Sequence, residues 1–141
     1  MDIREIQTDA DIVDAYPLMK ALRDRISAAT FVDEVRRQQE RGYQLFGGFE
    51  RGRLLVLAGI RRAHTLSRGD HLFVDDLVSD ESVRGSGYGR EMMRWLARRA
   101  AADGIPRIYL DARITAKGFY EKIGFVFHTS IPCWVDVDRL A

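Results

Sequence analysis

Apolar and polar positions change rhythm along this chain, and each rhythm predicts an element. Asp2 to Gln7 alternates, which predicts a first strand. From Asp9 to Ile26, Ile12, Val13, Tyr16, Met19, Leu22 and Ile26 return at near-helical spacing, and Pro17 marks a kink or a start after Tyr16. Phe31 to Glu40 is a second helix, closed by Gly42. Tyr43 to Glu50 and Arg53 to Thr65 read as paired strands joined by Arg51-Gly52. After a turn at Ser67 to Asp70, a further strand runs from Asp70 to Ser79. Gly87 to Asp103 is the clearest helix, with Met92, Met93, Leu96, Ala97 and Ala100 on one stripe and Gly104 at its end. Arg107 to Asp111 is a short buried strand, and Thr115 to Ile123 a short helix capped by Thr115 and closed by Gly124. Phe125 to His128 and Cys133 to Val137 would be the last strands. Strands, then a strand–helix–strand unit, then a closing hairpin define a mixed α/β or α+β domain.

A length of 141 residues suits one domain over residues 1–141. A hydrophobic fraction of 46% and a charged fraction of 30% exclude general disorder. The net charge of +1 gives bulk electrostatics no hold on nucleic acid or a membrane surface. The most apolar run, Leu54 to Ile60, is far shorter than the roughly 20 residues that span a bilayer. The charged start, Met1 to Glu5, has no apolar signal core. The expectation is a soluble, cytoplasmic protein. Cys133 is the single cysteine, so there is no intrachain disulfide and no cysteine zinc cluster; it reads as a buried hydrophobe. His64, His71 and His128 lack metal-ligand spacing, and no metal is expected. Trp95 and Trp134 read as packing residues.

The chemistry lies where the fourth strand ends. Val74-Asp75-Asp76-Leu77-Val78-Ser79 leads through Asp80 to Val83 into Arg84-Gly85-Ser86-Gly87-Tyr88-Gly89-Arg90, which opens the long helix. Glycines at 85, 87 and 89 let the backbone approach a ligand closely. The helix start offers unpaired amides and a partial positive charge, so loop and helix together make a phosphate cradle. The dinucleotide fingerprint fails because Arg90 stands at its third glycine. The ATP-type loop fails for want of a Gly-Lys pair, and the nucleophile elbow fails at Arg84.

What remains, Arg-x-x-Gly-x-Gly, resembles the pyrophosphate loop of the GNAT superfamily of acyl-CoA-dependent N-acetyltransferases. Two further features match in order: the strand Val74–Ser79 and the block Ala116-Lys117-Gly118-Phe119-Tyr120-Glu121-Lys122-Ile123-Gly124-Phe125. The resemblance covers Asp70 to Phe127. It implies a mixed sheet of six to seven strands, splayed between two parallel strands and flanked by about four helices. It implies acetyl-CoA as co-substrate, with backbone groups of Leu77, Val78 and Ser79 pairing with the pantetheine arm. An amide near Val78 would polarise the thioester carbonyl. Arg84, Gly85, Ser86, Gly87, Tyr88, Gly89 and Arg90 would hold the pyrophosphate, and Tyr120 would protonate the departing thiolate. On the last helix, Ala116, Phe119 and Ile123 form the core stripe, with Tyr120 at its edge. The resemblance departs at Arg113, where the family often has Asn; Arg113 becomes a candidate contact to a CoA phosphate or an acidic acceptor.

The expected reaction moves an acetyl group to a primary amine by direct attack in a ternary complex. An alkyl amine has a pKa near 10.4, so a proton must leave it. Asp75 and Asp76 are the candidates to accept that proton or to bind the ammonium. Strand alternation would send them to opposite faces, with Asp75 beside Phe73 and Leu77 and facing the cleft. Tyr16, Arg23, Tyr43, Arg61 and His64 are candidate acceptor contacts from the N-terminal half. The acceptor class stays open between a small-molecule amine and a protein amine, as does a homodimer formed through Cys133–Val137. The alternative is a non-catalytic acyl-CoA-binding sensor or interaction module on the same fold.

Overall fold

The computed structural model describes all 141 residues, whose contacts group them into two units, Met1–Leu110 and Asp111–Ala141. The first unit is a five-stranded sheet in the order β1-β2-β3-β4-β5. Its strands are β1 (Asp2–Glu5), β2 (Tyr43–Glu50), β3 (Arg53–Thr65), β4 (Gly69–Ser79) and β5 (Ile108–Leu110). The first four pair antiparallel; β5 lies parallel to β4 and is reached through helix α3 (Tyr88–Ala102). Helices α1 (Asp9–Leu22) and α2 (Ala28–Gln39) cover one face. There Ile12, Ala15, Met19, Phe31 and Val35 pack with Tyr43, Leu45, Leu57 and Val78. Helix α3 covers the other face through Met92, Met93 and Leu96, all buried, and Trp95 lies 5.1 Å from Phe46.

Helix boundaries follow local chemistry. Thr8 caps α1 by accepting the Asp11 amide, and the helix runs through Pro17. Pro17 removes one bond, to the carbonyl of Val13 on the exposed side, which one solvated turn tolerates. The helix stops at Leu22, short of the expected Ile26, because Arg23 leaves helical backbone (φ −121°, ψ 76°) and turns its guanidinium toward β4. Ala97 is exposed, outside the buried stripe of α3.

In the second unit, helix α4 (Lys117–Lys122) follows a single 3-10 turn, Ile114–Ala116. Thr115 falls inside that turn, so it does not cap the helix as expected; Ala116 stands at the cap without a side-chain bond. The two expected C-terminal strands are absent: residues 125–136 form no ladder, and the sheet has five strands where six to seven were expected. Cys133 is exposed and Trp134 is 87% exposed, so neither is the core residue expected; the short apolar run Cys133-Trp134-Val135 has no neighbouring strand to cover it.

Candidate active site

An irregularity in β4 builds the centre of the first unit. Gly59 pairs with Asp76 and Ile60 with Val74, which leaves Asp75 as an extra residue: a β-bulge. The bulge overturns the expected alternation. Asp76 faces α1 together with Val78, while Leu77 pairs with Ala58 on the α3 side, so Asp75 shares a face with Phe73 but not with Leu77. Both carboxylates therefore turn toward the α1 face.

Each carboxylate is met by a guanidinium there. Arg23 donates from Nε to Asp76 Oδ1 at 2.8 Å and from Nη2 to the Asp75 carbonyl at 2.7 Å. Arg61 clamps Asp75 by donating from Nε to Oδ2 at 2.6 Å and from Nη2 to Oδ1 at 2.8 Å, and its guanidinium lies over the Phe73 ring. Bidentate pairs of this kind fix geometry as well as charge. Tyr43 donates its hydroxyl to Asp76 Oδ2 at 2.7 Å. Asp76 is only 8% exposed, so these partners are what makes its burial tolerable. Three of the five N-terminal candidates thus meet at the bulge. Tyr16 instead bonds the Ile26 carbonyl, and His64 sits exposed beside Asp70. The bulge itself was invisible in the apolar-polar pattern; the one signal was two adjacent acids in an otherwise apolar strand.

Gly59 makes the Tyr43 contact possible. A Cβ at position 59 would land on the Tyr43 hydroxyl. Gly59→Ala should push the phenol off Asp76 and cost about 2 kcal/mol, the price of a buried carboxylate losing a donor plus local overpacking; urea unfolding measures it. Burial and the nearby negative charge of Asp76 raise the Tyr43 pKa well above the usual 10.0. The folded protein therefore keeps that proton when the unfolded chain gives it up. Stability from this group is full below about pH 10 and falls as pH rises beyond it. Tyr43→Phe should flatten that alkaline slope in unfolding curves recorded between pH 8 and 11, values set by the ordinary tyrosine range.

The edge of β4 continues beyond its neighbour. β5 pairs with Leu72, Val74 and the intervening Phe73 and then ends, so Leu77, Val78 and Ser79 have β3 on one side and no strand on the other. Their outer backbone groups are free to pair with an extended ligand.

Downstream, Asp80 accepts the Ser82 amide and is held by Arg53 at 3.1 Å, which fixes the exit from the strand. Gly85 and Gly87 both take positive φ, 82° and 92°, which disfavours any side chain there. Gly87 is the N-cap of α3 and brings no capping side chain, so the first-turn amides of Tyr88 and Gly89 have no side-chain acceptor from that cap. A Cβ at either glycine would meet nothing within 4 Å, so the loop faces open space. Arg84, Ser86 and Arg90 are exposed around it. Tyr88 points away, its hydroxyl donating to Glu50 at 2.7 Å.

In the second unit, Tyr120 is the buried residue of α4, not its edge as expected. The helix is six residues long, and Phe119 and Phe125 meet the Tyr120 ring edge-on at 5.0 and 5.3 Å. Burial raises its pKa above 10.0, so it is a neutral proton donor throughout the neutral range. Arg113 is exposed at the start of this unit.

These features, an open strand edge leading to a glycine-rich helix start, are those of an acyl-CoA-binding fold. The sequence model of the Acetyltransferase (GNAT) family matches residues 5–125, and the chain belongs to that family. It transfers an acetyl group from acetyl-CoA to an amine. It is 24% identical over 132 residues to the uncharacterised N-acetyltransferase YhdJ of Bacillus subtilis (strain 168), covering 90% of this chain and 93% of that one. It is 30% identical over 79 residues to the glucosamine 6-phosphate N-acetyltransferase of Trypanosoma brucei brucei, covering 55% of this chain and 54% of that one. Among solved structures, the aminoglycoside N-acetyltransferase AAC(6')-Iy in complex with CoA shares the fold at a TM-score of 0.81 and 15% identity, covering 96% of this chain and 93% of that one. No helix is long and apolar enough to cross a membrane.

Proposed function

We propose that residues 1–141 act as one N-acetyltransferase domain that binds acetyl-CoA along Leu77–Ser79 and Arg84–Arg90 and acetylates a small-molecule primary amine. The single observation that carries this reading is the free outer edge of β4 running directly into a positive-φ glycine loop at a helix start. Leu77, Val78 and Ser79 supply backbone partners for the pantetheine arm, and an amide near Val78 polarises the thioester carbonyl. The loop amides, Arg84 and Arg90 take the pyrophosphate; Arg113 is the candidate for a further phosphate.

The amine attacks the thioester carbonyl carbon directly. The C–N bond forms, the C–S bond breaks, and Tyr120 gives its proton to the leaving sulfur. The proton lost by the amine leaves toward Asp75 or Asp76, or through water. Both acids already accept hydrogen bonds from Arg23 and Arg61, which favours a role in orienting the amine over a role as free base. The relative from Trypanosoma brucei brucei acts, by its name, on an amino sugar phosphate, which supports a small acceptor. A reduced cytoplasmic setting is consistent with a coenzyme A substrate and the unpaired Cys133.

Isothermal titration with acetyl-CoA, followed by free-thiol release over a panel of amines, tests this. The expected result is binding, with thiol release that rises with amine concentration. Absence of acetyl-CoA binding overturns the reading.

A further inference from the structure

The bulge of β4 gathers two cations and two anions on one patch. Arg23 arrives from the end of α1 and Arg61 from β3, and both bind Asp75, one at its carbonyl and one at its carboxylate. The patch is therefore charge-balanced, with Asp75 and Asp76 already neutralised. A guanidinium has five N–H donors, and Arg23 and Arg61 each spend only two here, from Nε and Nη2. The remaining donors, including both on each Nη1, belong to side chains that are 41% and 43% exposed. Neither guanidinium is loose: Arg61 is braced by the Phe73 ring, and Asp75 and Asp76 fix both forks.

From this we infer that the acceptor amine carries its own acidic group, a carboxylate or a phosphate, which the outward donors of Arg23 and Arg61 bind. This deepens the acetyl-transfer reading and rests on it. The electrostatics run one way. A simple cationic amine adds positive charge beside two guanidinia, and the carboxylates that would compensate it are already engaged. An acceptor bearing both an amine and an acid brings no net charge of that sign. Its acid meets preorganised N–H forks suited to planar or tetrahedral oxyanions, and its nitrogen lies near Asp75 and Asp76.

The test compares matched amines in the free-thiol assay with saturating acetyl-CoA. Amino acids are set against their amides for the carboxylate arm. Ethanolamine and glucosamine are set against their phosphate esters for the phosphate arm. The expected result is a kcat/KM at least about tenfold higher for the acid-bearing member in one arm, which also identifies the oxyanion. In Arg23→Gln and Arg61→Gln that ratio should fall toward one through a higher KM for the acid-bearing amine, while Arg61→Lys retains part of it. Acetyl-CoA titration and thermal melts on each variant confirm a folded protein. Equal turnover of both members, turnover of neither by protein that binds acetyl-CoA, or a ratio untouched in both Gln variants overturns the inference and leaves acetyl-CoA binding standing. Failure to bind acetyl-CoA sinks the transfer reading itself and this inference with it.

Discussion

Tyr120→Phe should lower kcat about a hundredfold and leave acetyl-CoA affinity within about twofold, the pattern of a proton donor that acts only as the sulfur departs. The structure makes this a clean substitution. The Tyr120 ring is held by Phe119 and Phe125, and a phenylalanine keeps those edge-on contacts. Its pKa is raised by burial alone, with no charged partner to disturb. The thermal midpoint should therefore hardly move. The pH profile gives a second reading. The wild type should lose kcat only above about pH 10, where the phenol begins to ionise, whereas the residual rate of Tyr120→Phe should lack that fall. Stopped-flow or plate thiol release between pH 6 and 11 separates the two, the span being set by ordinary side-chain pKa values. An unchanged kcat would remove Tyr120 from the chemistry.

Gly87→Val should weaken acetyl-CoA binding by about a hundredfold. Position 87 has φ of 92°, where a β-branched residue is strongly disfavoured, and it is the N-cap that aims the first amides of α3. Space is not the obstacle, because nothing lies within 4 Å of a Cβ built there. The substitution acts by rotating the cap backbone and by filling the room a phosphate would use. Fold stability should drop by only about 1–2 kcal/mol, since the loop is exposed and α3 stays anchored by Met92, Met93 and Leu96. Arg84→Glu should reduce affinity less, about tenfold, because it reverses a single exposed charge and leaves the amides in place. Calorimetric titration of each variant with acetyl-CoA, beside its thermal melt, reads both quantities.

Much of this was legible in the chain. β2 and β3 fall at the limits their apolar runs and the Arg51-Gly52 turn dictate, because a short hairpin is a local structure with local signals. The glycine loop was readable because positive φ selects its own residue. The pairing of the two acids was not, because alternation assumes an unbroken ladder, and a bulge is decided by what the neighbouring strand and helix offer. Arg23, Tyr43 and Arg61 lie dozens of residues or a strand away from their partners, so only the tertiary fold brings them together. The C-terminal strands failed for the reverse reason. Phe125-Val126-Phe127 and Cys133-Trp134-Val135 are short apolar runs that read as strands, but a strand exists only when another pairs with it.

Counted by parity, Asp75 is a surplus residue. Val74 faces α3 and Asp76 faces α1, so a chain lacking Asp75 would alternate without interruption and keep every core side chain on its present side. Packing alone gives no reason to carry it. Most insertions into a strand invert everything beyond them, whereas this one is absorbed on the spot, and the second acid it brings is held by Arg61 at the surface of the sheet.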